Sequence, residues 1–409
     1  MAPVSGGEQL EFAAALPASR RSAPLPVLDQ RARGTTFHAL TVRSVLNAPA
    51  ATGMGFWSLN PYIGCEFGCT YCYARETHKW AVERAERREE LSIDDDRLPI
   101  DPAAPNRQST IVNQQSSLPA WLAFERQILV KQGAAEVLAR TLDPHKLAGH
   151  SLVIGTATDP YQPAERSFQL TRQILERLTA YRGLSIGLIT KSPLVVRDLD
   201  LLQRLTARHE VTVNISLATL DARLLRRIEA RSPAPHARLR ALRALTTGGI
   251  HAGMLIAPVL PGITDSRASL AALMAAGKAA GARYVVGTAL RLGPAARARF
   301  LPHLAQEFPE LVERYQRRYG PEGGPGVRQY VGKDYQAALS RRLRALQRQY
   351  GFPVDERPTG TPLRKSATEP AASRVDEEMR RWRQLEGRAP REIPALEQET
   401  LWAAVSNEQ

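Results

Sequence analysis

From residue 151 to residue 319, short apolar runs alternate with stretches of helical period. No other feature of the chain restricts its fold as much. Strands are read at 151–156, 184–190, 211–217, 251–256 and 284–290. Helices are read between them at 167–181 (Leu170, Ile174 and Leu178 on one face), 198–207, 221–230, 235–247 and 266–281, and after the last strand at 295–319. Strands joined through helices pair in parallel, because a parallel pair needs a long crossover. A further strand near 57–62 brings the number of βα units to six. The expected fold is α/β: a partial (β/α)6 TIM-like barrel with N- and C-terminal extensions. Chemistry in such a barrel sits at the C-terminal ends of the strands.

The flanks read differently. Residues 1–35, rich in Ala, Pro, Ser and Arg, are expected to be disordered. Residues 36–320 form the expected core, with N-terminal strands at 36–46, helices at 73–90 and 122–141, and a polar surface insertion near 92–115 that contains Asp94, Asp95 and Asp96. A glycine-rich break then leads into a C-terminal helical extension, 321–355, with a basic helix at 335–350; residues 356–409 read as a mobile tail. With 43% hydrophobic residues the chain can bury one large core or two ordinary ones. No apolar run approaches the ~18 residues of a membrane span. The first 23 residues carry no apolar stretch behind a basic start. A cytoplasmic location is the expectation.

Three cysteines, all within eight residues, exclude a disulfide scaffold. Cys65, Cys69 and Cys72 lie in Asn60-Pro-Tyr-Ile-Gly-Cys-Glu-Phe-Gly-Cys-Thr-Tyr-Cys-Tyr-Ala-Arg75, spaced C-x3-C-x2-C, between a strand and a helix. Gly64 and Gly68 would let the backbone wrap tightly around a shared centre. One reading is a Cys3His zinc site with His78, six residues after Cys72, as fourth ligand. The favoured reading is an iron–sulfur cluster. A [4Fe–4S] cluster ordinarily takes four cysteines, so three would leave one iron open to a small molecule.

This spacing on a βα scaffold, with aromatic Tyr71 before the last cysteine, resembles the radical S-adenosylmethionine (radical SAM) superfamily. The strand ends narrow the resemblance: Gly155-Thr-Ala-Thr-Asp-Pro-Tyr-Gln-Pro-Ala-Glu165, Ile189-Thr-Lys-Ser192, Ile215-Ser-Leu-Ala-Thr219 and Ala257-Pro-Val-Leu-Pro-Gly-Ile-Thr-Asp265. Over roughly residues 57–320 the chain resembles the spore photoproduct lyase-like (DNA repair photolyase-like) branch, in particular its uncharacterised bacterial members. The resemblance implies that Cys65, Cys69 and Cys72 hold three irons of a [4Fe–4S] cluster and that S-adenosylmethionine chelates the fourth. An electron from the cluster would cleave the cofactor to methionine and a 5′-deoxyadenosyl radical, which abstracts hydrogen from a substrate. It also implies an electron donor such as flavodoxin or ferredoxin.

Residues at the strand ends carry the remaining expectations. Tyr71, Thr158, Lys191 and Ser216 are candidates for cofactor binding, and Asp159 and Tyr161 for catalysis. Asp159 and Glu165 could accept hydrogen bonds from an ammonium group; Asp159 equally suits a turn before Pro160. Lys191 suits a carboxylate or a ribose hydroxyl. Arg75 could steady negative charge at the cysteines. Spore photoproduct lyase returns a hydrogen atom through an additional cysteine, which this chain lacks; either another group such as Tyr161 performs that step or the reaction needs no such donor, and thymine-dimer repair by the same route does not follow.

The formal charge is 55 − 41 = +14. Between Arg283 and Arg348, 13 Lys and Arg stand against 5 Asp and Glu, and a second basic run spans Arg223 to Arg243. Such runs could track phosphates, with Tyr315, Tyr319, Tyr330 and Tyr335 stacking bases; they equally suit solvated helix faces. The alternative from another class is a metal-stabilised nucleic-acid-binding module, zinc or cluster, without radical chemistry. The substrate itself is not legible.

Overall fold

Strands made almost wholly of apolar residues are stable only where both faces of a sheet are covered, and the central strands of this protein satisfy that condition. The computed structural model describes residues 27–31, 34–52, 54–78, 118–321 and 326–354. The insertion near 92–115, the tail 356–409, the first 26 residues and the far end of the helix read at 73–90 lie outside the described residues. The described strands, in chain order, are β1 (Val27–Gln30), β2 (Thr36–Leu40), β3 (Leu46–Asn47), β4 (Trp57–Leu59), β5 (Tyr62–Ile63), β6 (Gln127–Lys131), β7 (Ser151–Ile154), β8 (Ser185–Thr190), β9 (Glu210–Ser216), β10 (His251–Val259) and β11 (Val285–Ala289).

The main sheet has the order β11-β10-β9-β8-β7-β4-β3. Its six strands from β4 to β11 pair in parallel, with β3 added antiparallel at the edge. No ladder joins β11 back to β4 among the described residues, so the six-stranded parallel arrangement stays open, as a partial barrel should. Leu152, Ile186, Val213 and Met254 are fully or almost fully buried against Ile174 and Leu242 of the helix layer. Each such side chain contributes about 1.5–3 kcal/mol. Side-chain caps fix where helices begin: Asp221 accepts from the N–H groups of Arg223 and Leu224, and Ser266 from that of Ser269. The helix Lys333–Gln349 of the C-terminal extension covers β11, with the Gln347 amide donating to the Val285 carbonyl at 2.8 Å.

A second sheet, β1-β2-β6-β5, stands beside the first. Phe37, Tyr62, Ile128 and Val130 pack there on Ala164 and Leu170. Its strand β5 delivers the chain to Cys65, whose N–H donates to the Phe124 carbonyl at 2.9 Å.

Three readings are corrected. The helix expected at 122–141 is a helix (Ala120–Arg126), strand β6 and a helix (Ala134–Thr141); β6 pairs with β2 and β5, and Gly133, at φ +67°, resets the backbone before the second helix. The helix expected at 295–319 breaks at Phe308, which leaves helical geometry (φ −144°, ψ 56°) before Pro309. Ordered structure begins before residue 36, because Val27–Gln30 pairs with β2.

Candidate active site

The cysteine loop is fixed from several directions at once. Gly64 has φ +90°, and a Cβ there would lie 2.8 Å from the Phe124 carbonyl; at Gly68, φ +65°, a Cβ would lie 2.6 Å from the Arg231 guanidinium. The Thr158 hydroxyl donates to the Gly64 carbonyl at 2.6 Å, and Gln162 donates to the same carbonyl while accepting from the Glu66 N–H. On the other side Thr70 donates N–H to Ile228, and Arg231 donates N–H to Phe67, both at 3.0 Å. The loop packs in one apolar cluster with Ala218, Leu260 and Leu290. Each of those residues lies just past the C-terminal end of β9, β10 or β11. The cysteines therefore sit over the C-terminal mouth of the open barrel.

Cys65 and Cys69 are buried and Cys72 is half-buried. Burial pushes all three thiols up. Opposing that, backbone N–H groups of Phe67 and Asp159 favour thiolate at Cys65, Lys191 does so at Cys69, and Arg75 and Lys191 at Cys72. A thiolate at Cys72 also disfavours charge at Cys65 and Cys69, and one at Cys65 disfavours it at Cys69. A metal bound there would relieve that conflict, because it would compensate negative charge where water cannot. Among the described residues no three His, Cys, Asp or Glu side chains converge on a single ion. His78 is buried, hydrogen-bonded to the Gln127 carbonyl at 2.9 Å and edge-on to Phe124. His78 thus has the Gln127 carbonyl, and not a cysteine, as its partner. In a cluster each thiolate takes its own iron, which does not require three ligands to meet at one point.

Arg75 is fully buried and holds the loop from beneath. Its guanidinium donates to the Cys69 carbonyl at 2.7 Å, to Glu125 at 2.5 Å and to the Trp121 carbonyl. Glu125 also pairs with half-buried Arg231 (2.6 Å) and Arg299 (3.5 Å). Burial opposes its ionisation, but Arg75 and Arg231 outweigh that and hold its carboxyl below the ordinary range.

Among the strand-end candidates, Tyr71, Lys191 and Ser216 come together. The Lys191 ammonium lies 5.8 Å from the centre of the Tyr71 ring and donates to the Ser216 hydroxyl at 3.2 Å. Thr158 stands at the loop, with its hydroxyl committed to Gly64. Asp159 stands beside Cys65, and its carboxylate is held by three hydrogen bonds. One oxygen accepts from the Tyr161 N–H (2.9 Å) and the Thr190 hydroxyl (2.6 Å), the other from the Lys191 N–H (2.7 Å), so it ties the ends of β7 and β8 together. Tyr161 is corrected outright: it is fully buried in the main core, beside Arg197 and Asp198, and not in the cluster that contains the cysteines. Glu165 is likewise fully buried and taken up by Tyr62 (2.6 Å), Arg197 (2.9 Å) and the Thr171 N–H.

Two residues at the site escape sequence reasoning. Glu229, buried, accepts from the Tyr71 phenol, from Ser232 (2.6 Å) and from Arg238. Arg238, also buried, donates to the Ser216 carbonyl at 2.8 Å. The available signal was that Glu229 is the one carboxylate between Arg223 and Arg243. Burial disfavours its charge, yet Arg238 and Lys191 prevail and hold it down to about 2. With folded values below the unfolded ones, Glu229 and Glu125 confer stability that is full above the ordinary carboxylate range, near pH 4–5, and is lost as pH falls toward 2. Acid titration followed by far-UV circular dichroism is expected to show a shallower loss in Glu229→Gln than in the wild type.

Of the tyrosines in the basic C-terminal region, Tyr315 and Tyr319 are buried and Tyr335 donates to Asp265 at 2.8 Å. Tyr330 is exposed, and the Arg291 guanidinium lies over its ring (5.4 Å) and over that of Tyr73 (5.8 Å), the residue after Cys72.

An open parallel α/β barrel with a three-cysteine loop over its C-terminal mouth defines a class of enzyme scaffold. The radical SAM superfamily profile matches residues 59–274, and the chain belongs to that superfamily. An uncharacterized protein of Mycobacterium tuberculosis (strain H37Rv) is 33% identical over 340 residues, covering 83% of this chain and 86% of the relative. An uncharacterized protein of Methanocaldococcus jannaschii is 27% identical over 207 residues, 51% of this chain and 61% of that one. Among solved structures, spore photoproduct lyase complexed with dinucleoside spore photoproduct shares the fold with a TM-score of 0.52 at 14% identity, over 77% of this chain and 79% of that one. A mutant of the same lyase with bound AdoMet and dinucleoside spore photoproduct matches over the same shares, with a TM-score of 0.51 at 15% identity. Among the described residues no helix is long and apolar enough to cross a membrane.

Proposed function

We propose that the protein is a radical SAM enzyme in which Cys65, Cys69 and Cys72 hold a [4Fe–4S] cluster, with S-adenosylmethionine bound at the iron that lacks a protein thiolate. The observation that carries this reading is the cysteine loop itself: three thiols set over the barrel mouth, with backbone N–H groups and two cations directed at them. Bound there, the cluster and S-adenosylmethionine supply a 5′-deoxyadenosyl radical for hydrogen abstraction. The chain's part is to bind and orient. Thr158 and Gln162 fix the backbone at Cys65, and Arg75 fixes the carbonyl of Cys69. Lys191 offers a cation to an anionic group in the mouth, and Ser216 holds that cation in place. The apolar cluster around the cysteines excludes water that would quench a radical.

The substrate we propose is nucleic-acid related. The Tyr73–Arg291–Tyr330 stack, beside Cys72 on a chain of net charge +14, presents flat faces and a cation of the kind that bases and phosphates meet. The electron would come from a carrier such as flavodoxin or ferredoxin. The half-buried Arg231, whose guanidinium covers Gly68, gives an acidic carrier a cation beside the loop. With no additional cysteine in the chain, we do not extend the reading to thymine-dimer repair.

Anaerobic reconstitution tests the central claim. The expected result is broad visible absorption, about four iron per chain, and release of 5′-deoxyadenosine on reduction with S-adenosylmethionine. Stoichiometric zinc without deoxyadenosine would overturn it.

A further inference from the structure

Tyr71, Lys191 and Ser216 belong to three separate segments: the cysteine loop, the end of β8 and the end of β9. What joins them is a closed ring of contacts. The Tyr71 phenol donates to one oxygen of Glu229, and the other oxygen accepts from Ser232 and Arg238. Arg238 donates to the carbonyl of Ser216 at 2.8 Å. The Ser216 hydroxyl accepts from Lys191 at 3.2 Å, and the Lys191 ammonium returns over the Tyr71 ring at 5.8 Å. The backbone closes the same circuit, since Glu229 forms an antiparallel bridge with Cys69. Glu229 is 1% exposed and Arg238 0%, so no water substitutes for a missing member.

We propose that Glu229 is a positioning residue of the cysteine site: through Tyr71 and Arg238 it sets the placement of Tyr71, Lys191 and Ser216 as one unit for S-adenosylmethionine, and its charge balances one of the two cations beside the cluster. The proposal rests on the function proposed above. Its physical basis is that a buried network is rigid only when every member is satisfied. Glu229 is the one member that touches both the cysteine loop and Arg238. The Tyr71 phenol bonds to Glu229, so its removal acts on placement and not on charge. Removing the carboxylate's charge leaves Arg238 and Lys191 uncompensated beside Cys69, which favours the reduced cluster.

The test uses reconstituted holoenzyme and two measurements besides turnover: S-adenosylmethionine affinity by equilibrium dialysis and cluster midpoint potential by redox titration with electron paramagnetic resonance. Glu229→Gln is expected to bind S-adenosylmethionine at least tenfold more weakly. Its one-electron equilibrium should shift at least tenfold toward reduction, which is ~59 mV upward. Removing both charges, Glu229→Gln with Arg238→Gln, is expected to restore the potential to within twofold in that equilibrium. Tyr71→Phe keeps every charge, so its potential should hold while affinity falls about fivefold. Affinity and potential within twofold of wild type in an iron-loaded Glu229→Gln protein would overturn the role. Should Glu229→Gln take up no iron, Tyr71→Phe decides the matter, and wild-type affinity there overturns the role. A wild-type chain that takes up no iron refutes the proposed function and this role together. Unchanged variants beside an active wild type refute this role alone.

Discussion

A Cys69→Ala protein is expected to fold, to hold no cluster and to release no 5′-deoxyadenosine above background. Cys69 is buried in the apolar cluster, and its carbonyl, not its thiol, takes the bond from Arg75. Alanine preserves that carbonyl and the bridge to Glu229, so the cost to folding should be only about 1 kcal/mol, the ordinary size for a core substitution. The cost to metal binding is far larger, because two thiolates remain where three are needed. Iron analysis, visible absorption and far-UV circular dichroism on the same sample separate the two effects. Native-like dichroism with little or no iron is the expected combination. Iron content and cleavage equal to wild type would remove Cys69 from the ligand set.

Arg75→Met should strike folding itself. Arg75 is fully buried, and its removal deprives Glu125 of the partner at 2.5 Å and the carbonyls of Cys69 and Trp121 of their donor. Arg231 and Arg299 still reach Glu125, but both are partly exposed. Breaking one side of a buried ion pair typically costs about 3–5 kcal/mol, and equilibrium denaturation of the apo-protein should show a loss of that order. Adding Glu125→Gln should recover much of it, because the uncompensated buried charge is then gone. Equal stability of the single and double variants would show that Arg75 acts through packing alone.

How much of this site can be read in the sequence depends on how local each contact is. The cysteine spacing is local, and the left-handed Gly64 and Gly68 do the work their positions imply. Lys191 and Ser216 were legible because strand periodicity fixes where β8 and β9 end, and in a parallel barrel those ends share one face. Asp159 and Tyr161 show the limit. Two residues apart, they part company because the Asp159 carboxylate takes the Tyr161 N–H, and that turn sends the phenol into the core. Strand β6 was hidden for a related reason: its five residues sit between two helical stretches, and only pairing with β2 and β5 makes them extended. Arg238 and Glu125 carry no local signal of function, and Glu229 only the faint one of being the single carboxylate between Arg223 and Arg243. Their meaning comes from partners as far as 174 residues away in the chain, the span from Glu125 to Arg299.

Those long spans also order events in time. The donors and acceptors that shape the loop come from Phe124, Thr158, Gln162, Ile228 and Arg231, so the socket takes form only after the chain beyond β9 has folded onto it. In small metal-stabilised domains the ion drives folding. Here the loop is shaped by the chain's own contacts, so under the proposed function the cluster would enter a socket already built.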